Sequence, residues 1–285
     1  MKRNRMKTTL LLAAWLLATM AGWASPGEMK THGAIANGGY SFWIYTPADY
    51  DGSQPQPVVV FLHGRSLCGH DLNRVLRYGT LDAIKRGMAL PAIVVAPQNP
   101  GGAWRPGKLM AILDWLQSAY KVDTTRVYVL GMSLGGYGTM DFCGTYPNKI
   151  AAGMALCGGS TLKDVDGLGE LPFWIIHGTA DRAVGINCSK TVVQDLQAHH
   201  KDTRLRFDWL QGATHGALAR AFYLKDTYDW LLAHTTRDPG RPVEEYIDIN
   251  NAILKQAYSE LRELSRLVDE DDMSEDPGEF RTPSR

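Results

Sequence analysis

Cysteine is scarce in this chain, and neither sign of charge is in excess. The 285 residues include four cysteines, and no two of them form a Cys-x-x-Cys pair. A dense disulfide framework is therefore excluded, and the ligand pattern of a structural zinc site is missing. The 30 lysines and arginines equal the 30 aspartates and glutamates, so no basic surplus points to nucleic acid. Apolar residues make up 45% and charged residues 21%, which excludes a mostly disordered chain.

One apolar run, residues 8–21, stands near the N-terminus and follows a basic stretch. Its basic residues are Lys2, Arg3, Arg5 and Lys7. Gly22 and Ala24 then supply small residues at positions −3 and −1, so residues 1–24 are predicted to be an export signal cleaved before Ser25. The run is shorter than the roughly 20 residues of a stable span, although an uncleaved N-terminal anchor is the alternative. No cysteine stands directly after the run, at the predicted cleavage site, so a lipid-anchored lipoprotein is not indicated.

Short apolar segments alternate with helical patterns along most of the chain. The predicted strands are Tyr40–Tyr45, Pro57–Leu62, Ala92–Ala96, Arg126–Leu130, Ala151–Leu156, Phe173–Ile176 and Arg204–Leu210. The predicted helices are Asp71–Arg86, Leu109–Tyr120, Leu134–Tyr146, Cys188–His199 and Ala217–Ala233. Continuous apolar strands are typical of sheets buried on both faces. The sequence therefore predicts an α/β fold, with a mostly parallel, doubly wound sheet and helices on both faces.

The remaining sequence is expected to form a C-terminal appendage. After the signal, residues 25–235 make the α/β domain, and residues 236–268 make an extension with a helical pattern over Val243–Val268. Residues 269–285 hold seven acidic and two basic residues. Cleavage of the signal removes four basic residues and leaves 26 basic against 30 acidic ones, a net charge of −4. Since the tail alone carries −5, the acidity is local and predicts a solvated, disordered end.

The chemistry-bearing motif is Gly131-Met-Ser133-Leu-Gly135. It matches Gly-x-Ser-x-Gly, and it lies between a predicted buried strand and a predicted helix. A sharp turn in that setting lifts a serine hydroxyl clear of the sheet, and the glycines make room where side chains would clash. The helix N-terminus also favours negative charge. We therefore expect Ser133 to be a nucleophile; a glycine-rich turn with a serine N-cap is the alternative.

A serine nucleophile needs a base, and the base needs an acid that orients it. His215 follows the predicted strand that ends at Leu210, and Asp181 follows the strand that ends at Ile176. The chain order serine, aspartate, histidine is the one this architecture uses. Asp208, within a predicted strand, and Asp202, in a predicted turn, are the rival acids. We expect Asp181 and His215 to complete the triad.

Two backbone N–H groups are expected to bind the oxyanion of an acyl-transfer reaction. One is that of Leu134, directly after the nucleophile, and the other is that of Arg65, in the loop after Phe61-Leu-His63-Gly64. Trp104 follows a loop at the C-terminal end of a strand, where ligands bind in open α/β sheets. It is the candidate for a substrate-binding wall, and simple packing of the loop is the alternative.

These residues together resemble the α/β-hydrolase fold over residues 40–233. Within that fold the chain is similar to the exported esterase and dienelactone-hydrolase-like branch, described as phospholipases/carboxylesterases or predicted peptidases. Phe61–Gly64, Val122–Gly136 and Ile176–Asp181 carry the likeness. The resemblance implies ester hydrolysis, with Ser133 as nucleophile in place of the cysteine of a true dienelactone hydrolase. No insertion resembles a lipase cap, so neither dienelactones nor long-chain triglycerides are expected as substrates.

The leading hypothesis is an exported serine esterase that acts on small molecules or on acetyl or feruloyl esters of polysaccharides. A serine peptidase of the prolyl-oligopeptidase type is the second hypothesis, although the chain is too short to include a propeller domain. A non-catalytic carbohydrate-binding protein on a hydrolase fold is the third. No metal, organic cofactor, nucleic acid or stable membrane span after cleavage is expected. The sequence leaves the pairing of the four cysteines open.

Overall fold

An eight-stranded sheet forms the centre of the computed structural model, which describes residues 27–257. The strands are β1 (Glu28–His32), β2 (Phe42–Thr46), β3 (Gln56–Leu62), β4 (Ile93–Pro97), β5 (Val122–Met132), β6 (Ala152–Leu156), β7 (Phe173–Gly178) and β8 (Leu205–Leu210). Their spatial order is β1-β2-β4-β3-β5-β6-β7-β8. The pairs β1–β2 and β2–β4 are antiparallel, and every other pair in this sheet is parallel. The predicted mostly parallel sheet is confirmed.

Helices cover both faces of the sheet, as predicted. They are α1 (Thr80–Lys85), α2 (Pro106–Ala119), α3 (Leu134–Thr145), α4 (Asn187–Ala198), α5 (His215–Leu218) and α6 (Lys225–Leu232). Val59 and Phe61 of β3 pack in the core on the side of α1 and α6, while Val58, Val60 and Leu62 pack on the side of α2, α3 and α4. The strand is apolar at each of these positions because alternate side chains point to opposite faces and both faces are buried.

Two predicted helices are divided in the structure. The segment Asp71–Arg86 forms a 3-10 helix at Leu72–Leu76 and then α1, with a break at Gly79. Gly79 has φ of +97°, and a Cβ there would lie 2.1 Å from the Phe61 ring, so the chain turns where only glycine fits. The segment Ala217–Ala233 likewise divides around a 3-10 helix at Ala219–Tyr223. Hydrophobic periodicity does not detect such breaks because the apolar residues continue through them.

Strand β1 was not predicted from the sequence. Its residues, Glu28-Met-Lys-Thr-His32, are mostly polar and exposed, and the strand pairs with β2 at the sheet edge. The Thr31–Trp43 and His32–Phe42 pairs fix its register. An edge strand can be polar because solvent covers one side of it, so the apolar run that marks a central strand is missing here.

The C-terminal extension packs on the core, but its first part is not helical. Residues 243–250 form no helix, and helical structure begins at residue 251 and continues to the last described residue. Ile249, Leu254 and Ala257 are buried in the core on the side of α1 and α6. The Arg241 guanidinium donates to the carbonyls of Pro147, Glu170, Ile150 and Ala151, which ties the chain across the end of the sheet. These contacts tie the start of the extension to the residues that precede β6 and β7.

Several predicted segments lie outside the described residues. They are the export signal (1–24), the distal part of the helical extension (258–268) and the acidic tail (269–285), so these assignments stay predictions. The helices within residues 27–257 are all too short or too polar to cross a lipid bilayer.

Candidate active site

Ser133 stands at a strained turn between β5 and α3. Its backbone has φ of 60° and ψ of −122°, a conformation that residues other than glycine rarely adopt. The turn brings neighbouring backbone segments so close together that only glycine fits at two positions beside Ser133. A Cβ at Gly135 would lie 1.8 Å from the Leu62 carbonyl oxygen, and one at Gly131 would lie 2.5 Å from the Gly135 carbonyl oxygen. The two motif glycines therefore have the steric role that the sequence motif implies.

The structure brings Asp181 and His215 together. Asp181 follows β7 and His215 begins α5 after β8, so both lie at the carboxyl edge of the sheet, as Ser133 does. His215 Nδ1 is 2.7 Å from Asp181 Oδ2. Asp181 Oδ1 accepts hydrogen bonds from the backbone N–H groups of Ala183 and Val184, at 2.8 and 2.9 Å. The Asp181 side chain is fully buried, so its carboxylate is held in one orientation toward the imidazole.

Cys157 connects the serine turn to this pair. It directly follows β6, its backbone has φ of +38°, and its side chain is buried. Its sulfur and the nearest ligand atoms of Asp181 and His215 all lie within 4.8 Å of one another. Burial and the Asp181 carboxylate raise the pKa of Cys157 well above its usual value, so it is a neutral thiol beside the carboxylate. The preceding residue, Leu156, accepts the Ser133 N–H through its carbonyl at 2.9 Å.

The loop after β3 lies against the serine turn. A Cβ at Gly64 would be 3.4 Å from Ser133 Cβ, so the two backbones are in contact range. The phenolic oxygen of Tyr78 accepts a hydrogen bond from the Gly64 N–H at 2.8 Å, and this bond holds the loop in place. Arg65 begins a 3-10 helix and Leu134 begins α3. The N–H of the first residue of a helix has no partner within that helix, so neither of these two N–H groups is bonded within its own helix.

His63 braces this loop as a neutral ring. Its Nδ1–H donates to the Gly64 carbonyl at 2.8 Å, and its Nε2 accepts the Asn99 N–H at 3.0 Å. Burial lowers the pKa of His63 from 6.5 to about 4. Protonation of Nε2 would break the bond from Asn99 and bury a charge. His63 is thus a structural histidine, neutral over the ordinary pH range.

His63 should make the folded protein sensitive to mild acid. Its folded-state pKa lies below the unfolded value, so the unfolded chain binds the extra proton as pH falls from 6.5 toward 4. This contribution to the free energy of unfolding is complete above pH 6.5, and about 2 kcal/mol of it should be lost between pH 7 and pH 5. Urea unfolding at the two pH values measures the loss, which His63→Gln should reduce by that amount. The exposed His70→Gln is the control, and an equal loss in His63→Gln and the parent would contradict the assignment.

Trp104 occupies the interior rather than a pocket wall. Its side chain is 2% exposed, and its indole N–H points at the His63 carbonyl oxygen at 3.3 Å. The indole packs edge-on against the rings of His63 and Tyr40. A Cβ at Gly138 of α3 would lie 2.5 Å from it, so the ring fills the space between the helix and the loop. The predicted substrate contact of Trp104 is not supported by this position, because the packing alternative accounts for the ring.

Three contributors to the site were not predicted from the sequence. Tyr78 holds the Gly64 loop, Cys157 lies beside Asp181 and His215, and Tyr137 is partly exposed one helical turn after Ser133. Cys157 had a usable signal, since it directly follows a buried strand, as Ser133 does. Tyr78 had none, because it lies 14 residues from its partner in an irregular segment. All four cysteines are free, and those at 143 and 157 are buried.

Comparison with known proteins gives short sequence matches and broad structural ones. No family model matches the chain. The chain is similar to acetylxylan esterase A from Emericella nidulans, with 40% identity over 60 residues, covering 21% of this chain and 19% of that protein. The match thus spans about a fifth of the relative's length.

Two solved structures extend the likeness to most of the chain. A thermostable esterase matches with a TM-score of 0.60 and 22% identity, over 74% of this chain and 64% of that chain. The feruloyl esterase module from Clostridium thermocellum, an S954A mutant complexed with sinapinate, matches with a TM-score of 0.50 and 18% identity, over 67% and 82% of the chains. With the observed strand order and serine turn, these likenesses show that the chain has the α/β-hydrolase fold.

Proposed function

We propose that this protein, which has the α/β-hydrolase fold, is an exported serine carboxylesterase with Ser133, His215 and Asp181 as its triad. One observation carries the proposal: a buried, fully hydrogen-bonded Asp181 lies 2.7 Å from His215 Nδ1, at the sheet edge where Ser133 stands in a strained turn. Strained backbone of this kind persists where the surrounding structure over-determines it, and it clusters at active sites. The hydrogen bond to Nδ1 leaves Nε2 as the atom that accepts a proton.

The proposed reaction has two steps. Ser133 Oγ attacks the ester carbonyl carbon while His215 Nε2 takes the hydroxyl proton, and the carbonyl π electrons move onto oxygen. The N–H groups of Leu134 and Arg65 bind this oxyanion, each worth about 3–4 kcal/mol of transition-state stabilisation. The C–O bond to the alcohol then breaks as His215 returns the proton to it. A water molecule, deprotonated by His215, then attacks the acyl carbon. The bond from that carbon to Ser133 Oγ breaks as His215 returns the proton to Oγ, which releases the carboxylic acid and free Ser133. The mechanism uses no metal and no organic cofactor.

The proposed substrates are small-molecule esters or acetyl or feruloyl esters on polysaccharides. The similarity to an acetylxylan esterase and to a feruloyl esterase module supports this range. Export, inferred from residues 1–24, would bring the mature protein to such polymers outside the cytoplasm. Ester hydrolysis is favoured over a binding role because Asp181 and His215 form a hydrogen-bonded pair, which a binding protein does not require.

The test is hydrolysis of methyl acetate, methyl butyrate and methyl ferulate, measured as the rate of acid release at constant pH. The mature protein is then labelled with a fluorophosphonate and the labelled peptide identified. We expect ester turnover and a single label on Ser133, because an activated serine reacts with this probe. Turnover of a prolyl p-nitroanilide in place of the esters would indicate the peptidase. No turnover and no label would indicate a binding protein.

A further inference from the structure

Only three side chains of the serine turn and the first turns of α3 reach solvent. Between Gly131 and Cys143, every residue is buried except Ser133, Leu134 and Tyr137. Within this segment, the exposed surface next to Ser133 is therefore made by Leu134 and Tyr137. Tyr137 lies four residues after Ser133 on the helix, and helical side chains lean toward the N-terminus. The phenol ring of Tyr137 therefore lines the same opening as the Ser133 hydroxyl.

The ring of Tyr137 is held in place from two sides. A Cβ at Gly159, in the loop after β6, would lie 2.8 Å from the ring, so glycine there leaves the space that the ring occupies. The phenolic oxygen meets the thiol of Cys188 near the start of α4. Burial, Cys188 and Asp141 raise the pKa of Tyr137, which keeps the phenol neutral. The site thus presents a fixed, uncharged aromatic surface.

The position of Tyr137 assigns it to the acyl side of an ester. In the proposed reaction, the carbonyl oxygen of the substrate points to the oxyanion donor of the Gly64 loop, which lies against Ser133. The leaving alcohol must lie near His215, which returns the proton to it. His215 begins α5, whose Leu218 is buried in the core on the side of α1 and α6. The direction that remains for the acyl group is toward α4, which packs on the opposite face of the sheet. Tyr137 lies on that side, against Cys188.

We infer that Tyr137 is a specificity-determining residue whose ring stacks on a planar aromatic acyl group, such as a hydroxycinnamoyl group. The inference rests on the proposed esterase function and selects the aromatic acyl group from the range given above. Offset stacking of two aromatic rings adds to the binding that apolar burial supplies. A short acyl group such as acetyl does not extend to the ring and gains nothing from it.

The experiment compares Tyr137→Leu and Tyr137→Phe with the parent on methyl ferulate and methyl acetate. The two esters share one alcohol, so only the acyl group changes. We expect Tyr137→Leu to lower kcat/KM for methyl ferulate by about tenfold, mostly through KM, because stacking and burial are both lost. Its kcat/KM for methyl acetate should stay within about threefold, and Tyr137→Phe should keep the parent's preference. Tyr146→Leu, at the far end of the same helix, controls for a general loss of packing.

The possible results distinguish a failure of this inference from a failure of the proposed esterase function on which it rests. An equal fall on both esters in Tyr137→Leu would overturn the inference and indicate a structural role. Parent enzyme that cleaves methyl acetate but not methyl ferulate would also overturn it, while the esterase function stands. If the parent cleaves neither ester and Ser133 is not labelled by the fluorophosphonate, both the inference and the proposed function fail.

Discussion

Replacing Ser133 with alanine is expected to lower kcat on methyl esters by about 10⁶-fold. In the proposed mechanism the variant loses the atom that forms the acyl-enzyme, and residual turnover would come from the oxyanion donors and binding alone. Folding should be unaffected, since Ser133 reaches the neighbouring strand through its backbone N–H to the Leu156 carbonyl. Acid release from methyl acetate measures the effect, and circular dichroism checks the fold. Turnover within tenfold of the parent would exclude Ser133 as the nucleophile.

The same position also predicts a difference between two inactive variants. Alanine keeps a Cβ at φ of 60° and ψ of −122°, whereas glycine adopts this conformation without steric cost. Strain of this kind costs about 1–3 kcal/mol, and the added freedom of glycine in the unfolded chain costs about 0.4–1 kcal/mol. Ser133→Gly should therefore unfold at a higher urea concentration than Ser133→Ala. If Ser133→Ala is the more stable of the two, the strained turn is not the source of any instability at this site.

The strands that position the site were predictable because each is an uninterrupted apolar run. The parallel strands β5, β7 and β8 all end at one edge of the sheet, so the loops that follow them meet there. Position in the chain was therefore enough to place Ser133, Asp181 and His215 at this edge without any knowledge of contacts. The structure brings Asp181 and His215 within hydrogen-bonding distance and places the Gly64 loop against Ser133.

The aromatic residues show where sequence reasoning fails. Trp104 and Tyr137 both lie near strand ends, and their chemistry does not reveal which one is exposed. Which ring is exposed depends on contacts between segments that are distant in the sequence. Gly138 makes room for the indole of Trp104, and Gly159 makes room for the ring of Tyr137. Gly79 is similar, since it breaks a helix because the Phe61 ring occupies the space of a Cβ. Such tertiary contacts leave no periodic pattern in the sequence.

Asp181→Asn is expected to lower kcat by about 10⁴-fold while the fold is kept. In the parent protein, the Asp181 carboxylate accepts a hydrogen bond from His215 Nδ1 through Oδ2, while Oδ1 accepts hydrogen bonds from the N–H groups of Ala183 and Val184. An asparagine keeps its carbonyl oxygen on those two N–H groups and turns its NH₂ toward His215. Nδ1 must then accept, the proton moves to Nε2, and the imidazole cannot take the proton of Ser133.

Asp208→Asn is the matched control, because Asp208 was the rival acid and its carboxylate pairs with the Trp174 indole and Arg206 instead. The kcat of Asp208→Asn on methyl acetate should stay within about threefold of the parent value, since the partners of Asp208 lie outside the proposed triad. Equal losses in the two variants would mean that any removed carboxylate weakens the fold. A loss confined to Asp208→Asn would reverse the assignment of the acid. A loss of turnover in Asp181→Asn, with a urea midpoint that stays close to that of Asp208→Asn, would show that the wrong tautomer of His215 and not unfolding removes the activity.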